Sequence, residues 1–340
     1  MSFDVVAFGE AMLRLSVPKA HRLISTRRFD AHVGGTEANV MAALAQLGWK
    51  TGWLSAVPDH ELGERVTRTL RSFGVNIEHV LKTPDARLGT YYFESGVMPR
   101  PGRVLYDRAG SAFSYLSPEF EADGSCAWLQ NWSNAVSQAG LLHATGVTAA
   151  LGADVLGVMD ALAEAATSNG VPISFDVNYR ASLWSPEEAR PVLRGYVERS
   201  EIVFCSLRDG AILLEDKFYA DTTRSVRERS EQLALAIGEH GPATVVVSMA
   251  SQGILVNAPD GVFVQEAPSV EEVMDRVGAG DAMAAGILHG VLKKDSALGA
   301  RLGSHLSGIA LGQIGDLTQI SASDMELGEM GAEAGLRIKR

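Results

Sequence analysis

Residues 36–57 read TEANVMAALAQLGWKTGWLSAV, in which a helical apolar spacing up to Leu47 is followed by a buried strand pattern from Thr51. Strand and helix patterns keep alternating along the chain, with strands at 4–8, 51–57, 141–144, 173–176, 202–205 and 244–248 and helices at 36–47, 62–73, 152–168, 186–198 and 225–239. Parallel strands need long crossover connections, which helices usually supply. The alternation therefore predicts an α/β fold, a three-layer sandwich with a mainly parallel central sheet.

Two segments, residues 12–33 and 87–112, do not follow this alternation. They carry alternating β-branched, aromatic and arginine residues, as in Thr90-Tyr91-Tyr92-Phe93. Such alternation predicts antiparallel strands with one wet face. Because the two segments are too short to fold alone, we predict a small antiparallel β lid inserted in one domain that spans residues 1–340. A lid at the edge of a sheet excludes water from a reaction site.

The composition is that of a globular protein with a large core. The chain has 340 residues, of which 46% are hydrophobic and 21% are charged, and its net charge is −11. No basic stripe is present, which argues against a nucleic-acid partner. The two cysteines form no Cys-x-x-Cys pair, so neither a zinc site nor a disulfide framework is indicated. Residues 1–10 lack the features of a signal peptide and no apolar run reaches ~20 residues, so we expect a cytoplasmic protein without a membrane partner.

The sequence Asp275-Arg276-Val277-Gly278-Ala279-Gly280-Asp281 precedes an apolar run, 282–292, with helical spacing. The two glycines permit a tight turn in which consecutive backbone N–H groups point into one space. The N-terminus of the following helix adds a positive dipole end, so an anion is stabilised here. A carboxylate beside a phosphoryl group is costly unless it takes a proton from an attacking hydroxyl, which predicts a small-molecule kinase with Asp281 as general base. A plain helix cap is the simpler alternative for this aspartate.

A second glycine turn, Gly34-Gly35, precedes the helix at 36–47. The paired glycines allow a ligand to approach the backbone closely, and Asn39 offers both a donor and an acceptor to sugar hydroxyls. A helix entry capped by Thr36 is the alternative interpretation of this turn.

Together, the two turns resemble the paired signatures of the ribokinase-like, or PfkB, carbohydrate kinases. The first signature matches from Gly34 to Gly63 and the second from Asp275 to Gly286. The resemblance covers nearly the whole chain and implies a ribokinase-like fold, ATP and Mg²⁺ as cofactors and, as an open point, a monovalent cation such as K⁺. It also implies that Asp281 is the catalytic base and that the anion hole consists of Gly278, Ala279 and Gly280.

Within this family, three stretches resemble the 2-keto-3-deoxygluconate kinases: residues 9–16, 103–112 and 175–185. The implied substrate is a sugar acid that is phosphorylated at its 6-hydroxyl. Two arginines on this match could hold the carboxylate through forked hydrogen bonds, and two tyrosines offer flat faces to the carbon chain. Without the family match, a surface salt bridge and a lid core would be the simpler interpretations of these side chains. The substrate-binding residues that the match implies are Gly34, Gly35, Asn39, Tyr91, Tyr106, Arg108, Asn178 and Arg180.

The chain departs from the family pattern at its nucleotide end. The Asn-x-x-Glu magnesium motif is replaced by Ser206-Leu207-Arg208-Asp209, in which Asp209 remains as an oxygen ligand for Mg²⁺. The Lys-x-Gly-x-x-Gly loop is replaced by SMASQG at 248–253, in which only Gly253 matches. Arg276 stands where the family commonly has threonine and could replace the missing positive charge. The nucleotide-binding residues that the match implies are Ser206, Ser248, Gly253, Gly278 and Gly280.

Several interpretations of the function stay open. A kinase of the same family could act on a neutral sugar such as fructose or ribose, although the arginine pair argues against it. The altered nucleotide loop motivates a catalytically weakened sugar-binding protein of the same fold, but the intact Gly-x-Gly-Asp at 278–281 argues against it. A Rossmann oxidoreductase is not indicated, because no Gly-x-Gly-x-x-Gly follows the first strand. By the same resemblance, we expect a homodimer in which exposed lid strands pair across the interface, with a sugar or sugar acid and a nucleotide as the small-molecule partners.

Overall fold

The computed structural model describes residues 2–96, 99–118, 126–215, 219–221 and 223–330 of the chain. A central sheet of nine strands has the order β13-β12-β11-β10-β9-β8-β1-β4-β5, and a second sheet of four strands has the order β3-β2-β6-β7. Seven neighbouring strands of the large sheet, from β11 to β5, are parallel. The predicted α/β sandwich with a mainly parallel sheet is confirmed.

The strands of the large sheet are β1 (Val5–Phe8), β4 (Thr51–Pro58), β5 (Val80–Thr83), β8 (Leu142–Thr145), β9 (Ile173–Asp176), β10 (Ile202–Ser206), β11 (Thr244–Ser248), β12 (Ile254–Ala258) and β13 (Gly261–Gln265). Those of the small sheet are β2 (Met12–Ser16), β3 (Asp30–Gly34), β6 (Thr90–Glu94) and β7 (Arg103–Asp107). The helices are α1 (Thr36–Gln46), α2 (Glu61–Ser72), α3 (Ala127–Ser137), α4 (Gly146–Ala149), α5 (Ala153–Ser168), α6 (Pro186–Arg199), α7 (Leu207–Leu214), α8 (Val226–Gly238), α9 (Ala279–Leu292), α10 (Ser296–Leu311) and α11 (Ala322–Met330).

Strand β1 shows how the sequence produces the layers. All four of its residues are buried, and successive side chains point to opposite faces of the sheet. Val6 and Phe8 join the hydrophobic cluster on one face, whereas Val5 and Ala7 join the cluster on the other. A strand that is apolar at every position therefore fits only a sheet covered by helices on both sides.

The small sheet differs in one respect from the antiparallel lid that the sequence predicts. Its outer pairs, β2 with β3 and β6 with β7, are antiparallel, whereas the central pair, β2 with β6, is parallel. Each hairpin forms locally, but the chain between β3 and β6 passes through the large sheet before it returns. The direction of β6 relative to β2 is set by that long connection rather than by a tight turn, so the local sequence does not predict it.

The parallel strands end at one edge of the large sheet, and this edge positions the polar side chains. Glu10 lies two residues beyond β1, and Asp176, Ser206 and Ser248 are the last residues of β9, β10 and β11. The small sheet begins directly after β1, because β2 starts at Met12. Within the described part of the chain, no helix combines the length and the apolar character needed to cross a membrane.

Candidate active site

A cavity of about 480 Å³ opens where the carboxyl ends of the parallel strands meet the small sheet. It brings together nearly all of the residues singled out from the sequence. The predicted residues that line it are Gly34, Gly35, Asn39, Tyr91, Tyr106, Arg108, Asn178, Arg180, Ser206, Asp209, Ser248, Gly278, Gly280 and Asp281. Ala279 belongs to the loop beside this cavity but does not line it, and Gly253 lies outside it.

Asp281 is the third residue of α9, at the end of the helix where backbone N–H groups are unpaired. The amide Nδ2 of Asn39, on α1, donates a hydrogen bond to Asp281 Oδ2 at 2.6 Å. Burial raises the pKa of Asp281 to about 7, although this hydrogen bond and the charge of Arg180 oppose the shift. A carboxyl group with a pKa near neutrality is suited to accept a proton from a hydroxyl.

The two glycines of the loop have different roles, which corrects the expectation that both form the turn. Gly278 alone is left-handed, with φ +85°, and a Cβ at this position would collide with the carbonyl oxygen of Asp316. Gly280 is already helical, and a Cβ there would meet no atom within 4 Å. Gly278 is thus required by the backbone, whereas Gly280 keeps open the space over the start of α9.

The paired glycines at 34–35 allow two segments to pass unusually close to each other. A Cβ on Gly34 would collide with the carboxylate of Asp316, and one on Gly35 would collide with the carbonyl oxygen of Glu10. The Oδ1 atom of Asn39 accepts a hydrogen bond from the N–H of Gly35 at 3.2 Å. This bond fixes the amide orientation in which Nδ2 faces Asp281.

The two arginines predicted to hold a carboxylate are in different states. Arg108 is paired with Glu10, because its Nε donates to Glu10 Oε2 at 2.8 Å and its Nη2 lies 2.5 Å from the same oxygen. Arg180 is exposed in the cavity, and within the described chain its guanidinium makes no hydrogen bond or ion pair, although its charge acts on the carboxyl groups of Asp176 and Asp281. Arg180 is therefore free to bind an anion, whereas Arg108 must share its charge with Glu10.

The two tyrosines also differ. Tyr91 is buried, and its hydroxyl donates to Asp316 Oδ2, so its phenol pKa is raised by burial and by that carboxylate. The ring of Tyr106 lies 5.6 Å from that of Tyr91 and is 47% exposed. Tyr106 therefore offers a hydroxyl and a flat face to a ligand, while Tyr91 supports the ring from behind.

Asp209 already has a structural task. Its Oδ2 accepts hydrogen bonds from the N–H and the hydroxyl of Ser206, at 2.8 and 2.7 Å, and its Oδ1 accepts one from the N–H of Tyr179. The bond from the Ser206 N–H, together with the bond that the Ser206 hydroxyl oxygen accepts from the N–H of Asp209 at 3.2 Å, forms a capping box at the start of α7. The resemblance of this segment to a magnesium motif thus coincides with a helix cap, and the metal role of Asp209 stays a prediction.

Asp176 is a cavity residue that the sequence had not singled out. Its pKa is raised well above the usual range by burial and then by the nearby charges of Asp209 and Asp281. Three carboxylates facing one cavity repel one another unless a cation is present. No group of three potential ligands in the described residues is arranged to hold a metal ion by itself. Asp176 and Asp209 fit the needs of Mg²⁺, which keeps several waters and requires only one or two carboxylates, and magnesium binding stays a prediction.

A buried ion-pair cluster lies behind the cavity, and it was also missed. Arg14, on β2, contacts Asp275 Oδ2 at 2.6 Å through Nη2 and Asp316 Oδ1 at 3.1 Å through Nη1. All three side chains are nearly inaccessible. The expectation of a wet face for the arginines of the small sheet is therefore wrong for Arg14. An arginine within an otherwise apolar strand start, Met12-Leu13-Arg14-Leu15, was the available signal.

Glu37 is the other charged residue that went unnoticed. It is buried at the start of α1, where Oε1 accepts hydrogen bonds from the hydroxyls of Thr145 and Thr148 at 2.7 and 2.6 Å. Burial raises its pKa, although both hydrogen bonds oppose the shift. Its position next to Asn39 on the same helix makes it part of the support for the second glycine turn.

The predicted nucleotide loop is divided by the structure. Ser248 ends β11 and lines the cavity, whereas Gly253 turns the chain into β12. Gly253 has φ +98°, and a Cβ there would collide with the backbone of Gln265 on β13. This glycine is thus explained by the β12–β13 hairpin, and its nucleotide role stays a prediction.

Residues 2–322 match the model of the pfkB family carbohydrate kinases. A 2-dehydro-3-deoxygalactonokinase from Haloferax volcanii is 33% identical over 338 residues, which cover 99% of each chain. A 2-dehydro-3-deoxygluconokinase from Bacillus subtilis is 28% identical over 86% of this chain and 84% of its own. The crystal structure of a 2-dehydro-3-deoxygluconokinase from Thermotoga maritima covers 97% of this chain and 99% of its own, with 29% identity and a TM-score of 0.83.

Proposed function

Because the chain belongs to the pfkB family of carbohydrate kinases, we propose that it transfers the γ-phosphoryl group of ATP to a sugar acid. The preferred substrate is 2-keto-3-deoxygluconate or its galactonate epimer, phosphorylated at the 6-hydroxyl. The observation that carries this choice is Arg180, a free guanidinium that shares one cavity with Asp281. An unpaired arginine beside the catalytic carboxylate suits a substrate that brings its own negative charge.

Proton transfer is assigned to Asp281. Asn39 occupies Oδ2 and leaves Oδ1 to accept the proton of the substrate's hydroxyl, whose oxygen attacks the phosphoryl group as the bond to ADP breaks. The N–H groups at the start of α9 and the space over Gly280 suit the charge that develops on the phosphoryl oxygens. ATP with Mg²⁺ supplies the phosphoryl group and neutralises part of its charge.

The carboxylate of the sugar acid is assigned to Arg180, with Arg108 as the second donor. The Glu10 partner keeps Arg108 oriented but lowers its attraction for an anion. Tyr106 covers the carbon chain, and Asn178 borders the same part of the cavity. Asp209 is the carboxylate that would hold Mg²⁺ or one of its waters when the ion is bound.

One observation favours a second candidate, a kinase of a neutral sugar such as fructose. Arg108 is already neutralised by Glu10, so of the two arginines predicted to hold the carboxylate only Arg180 has its charge available. A neutral sugar requires no such grip, and its hydroxyls would accept from Arg108 and donate to Glu10 equally well. A catalytically weakened protein is the third possibility, because the loop at 248–253 lacks the family's lysine.

A coupled ADP-release assay separates these candidates with four substrates: 2-keto-3-deoxygluconate, 2-keto-3-deoxygalactonate, fructose and ribose. We expect a sugar acid to be preferred, and Arg180→Ala to lower kcat/KM about 10²-fold for sugar acids, because a forked pair of charged hydrogen bonds is lost. The same variant should change neutral-sugar use little. Arg180→Lys should recover only part of the loss, since lysine keeps the charge without the fork.

Three outcomes contradict the proposal. Preference for fructose in the wild type supports the neutral-sugar kinase. An equal loss for both substrate classes in Arg180→Ala removes the carboxylate role of this residue. Absence of ADP release with all four sugars supports the weakened protein.

The same assay with and without K⁺ tests the monovalent cation that the family resemblance leaves open.

We also place the reaction in the cytoplasm, because Cys126 and Cys205 are both free thiols. The homodimer through the small sheet is part of the proposal, and its test is described in the Discussion.

A further inference from the structure

Two exposed arginines, Arg208 and Arg276, line the same cavity as Asp281. Arg208 is the second residue of α7, and Arg276 lies two residues before Gly278. Neither side chain makes a hydrogen bond, an ion pair or an aromatic contact within the described residues. We propose that these two side chains form a clamp for the polyphosphate of the nucleotide, in place of the absent loop lysine. This inference rests on the proposed function for the identity of the donor.

The charge of the cavity gives the first argument. Its acidic residues include Asp176, Asp209 and Asp281, and the whole chain carries a net charge of −11. A nucleotide triphosphate entering such a cavity is repelled unless positive groups face it. Arg108 is already paired with Glu10, and Arg180 is assigned to the sugar. Arg208 and Arg276 are the cavity arginines that remain.

The local structure around Arg276 gives the second argument. Its neighbours are fixed, since Asp275 is buried against Arg14 and accepts a hydrogen bond from the N–H of Val277 at 3.1 Å. The Arg276 side chain nevertheless is exposed and projects from this anchored loop. The loop backbone is held in place by these contacts, while the Arg276 guanidinium stays exposed near the N–H groups at the start of α9.

The position of Arg208 gives the third argument. Helices favour acidic side chains in their first turn, because the N-terminal dipole end is positive. A cation in the first turn of α7 works against the helix, and its neighbour Asp209 is committed to the capping box. Arg208 therefore lowers the stability of α7, and a role in ligand binding explains why a cation stands at this position.

Binding measurements without sugar test the clamp directly. Calorimetric titration with ATP, ADP, AMP, adenosine and inorganic tripolyphosphate should show affinity rising with each phosphate and falling with added salt. Arg208→Gln and Arg276→Gln should each weaken ATP about 10-fold, and the double variant about 10²-fold, because each removes charged hydrogen bonds. Adenosine affinity should stay within about twofold of the wild type, since no phosphate contact is involved.

Arg71→Gln is the matched control, because Arg71 is an exposed helical arginine outside the cavity and its loss changes the net charge equally. It should leave all affinities unchanged. The melting temperature of Arg208→Gln should not fall below that of the wild type. A structural role of Arg208 would instead lower it. ATP affinity unchanged in the double variant, an equal loss for adenosine, or a wild type that binds no ATP overturns the clamp. A wild type that binds ATP but prefers fructose removes the proposed substrate and leaves the clamp intact.

Discussion

Asn39 and Asp281 lie on helices near opposite ends of the sequence, α1 and α9, and their contact orients the proposed catalytic base. The hydrogen bond at 2.6 Å fixes Oδ2 of the Asp281 carboxylate, and the orientation of Oδ1 is fixed with it. Burial raises the pKa of Asp281 to about 7, which makes the group protonated for much of the acidic range. The rate of phosphoryl transfer should therefore rise with pH until this carboxyl group is ionised.

The first prediction concerns Asp281→Asn. The substitution keeps the shape of the side chain but cannot accept a proton, so kcat should fall about 10²–10⁴-fold while sugar affinity changes little. A variant that keeps more than about half of the wild-type turnover would exclude Asp281 as the base. The pH profile of wild-type kcat/KM should show its acidic limb near pH 7.

The same substitution has a second, independent readout in stability. The raised pKa means that folded Asp281 keeps a proton that the unfolded chain releases, so the free energy of unfolding falls as pH rises from about 4 to about 7. Asp281→Asn removes this penalty. Its melting temperature relative to the wild type should therefore be higher near pH 8 than near pH 5. A constant difference across this range would show that the pKa of Asp281 is not raised.

The second prediction separates the two glycines of the loop. Gly278→Ala should destabilise the protein by about 1–3 kcal/mol from its left-handed backbone alone, with a further cost from the contact with Asp316. Gly280→Ala should leave stability equal or slightly higher, because alanine favours the helix. Its methyl group nevertheless enters the space above α9, so kcat should fall. Thermal melts and turnover of the two variants provide each other's control, and equal effects on both properties would contradict the division of roles.

At the scale of elements, Arg14 connects the small sheet to the loop that precedes α9. Its guanidinium contacts Asp275 and Asp316, its Nε donates to the Ser16 hydroxyl at 2.7 Å, and it lies 4.1 Å from the ring centroid of Phe93. Asp275 in turn accepts a hydrogen bond from the N–H of Gly315. The small sheet is thus attached to the catalytic loop by charge as well as by chain connectivity.

The third prediction is that Arg14→Met destabilises the protein by about 3–5 kcal/mol, because it leaves two buried carboxylates without a partner. Burial raises the pKa of Asp316 and the charge of Arg14 opposes that shift, so without Arg14 the Asp316 carboxyl would stay protonated to a higher pH in the folded state. The loss of stability should consequently be larger near pH 8 than near pH 5. Tyr91→Phe is the control, since it removes one hydroxyl contact to Asp316 and keeps the ion pairs. A loss for Arg14→Met that does not depend on pH would argue against the charge mechanism.

The elements themselves show what the sequence predicts well. Strands with an uninterrupted apolar centre match their predicted bounds, as in β11 (Thr244–Ser248) with its three consecutive valines, because a parallel core strand has no polar face. The start of α9 was placed three residues late, since Ala279, Gly280 and Asp281 carry no apolar periodicity. The β12–β13 hairpin was not predicted from its apolar runs, although Gly261, with φ +141°, begins β13 directly after the turn.

For the whole molecule, the two glycine turns predicted the cavity because each turn needs glycine for its backbone, and a short sequence motif shows that need. The residues that were missed are buried charges whose partners are distant in sequence. Arg14 meets Asp316 across 302 positions, and Glu37 meets Thr148 across 111. One sequence contains no signal for such pairs, whereas a glycine that permits close approach is visible in the sequence itself.

The last prediction concerns assembly through the small sheet. Strand β7 is an edge strand, and Val104, Leu105 and Tyr106 are 39%, 41% and 47% exposed. An edge strand with apolar side chains on both faces favours pairing with another chain. We expect a homodimer at micromolar concentration, with β7 of one protomer against the small sheet of its partner.

Leu105→Asp should convert this dimer to a monomer, because it places a charge within the apolar contact. Tyr106 and Arg108 follow the altered residue by one and three positions, so the monomer should also show a higher KM for the sugar and an unchanged affinity for ATP. Val262→Asp is the matched control: Val262 is 57% exposed on β13, the edge strand at the other end of the large sheet. Sedimentation velocity measures the assembly. A monomeric wild type would contradict the dimer and leave the sugar site to be completed by one chain alone. A dimer that Val262→Asp disrupts and Leu105→Asp does not would place the interface elsewhere.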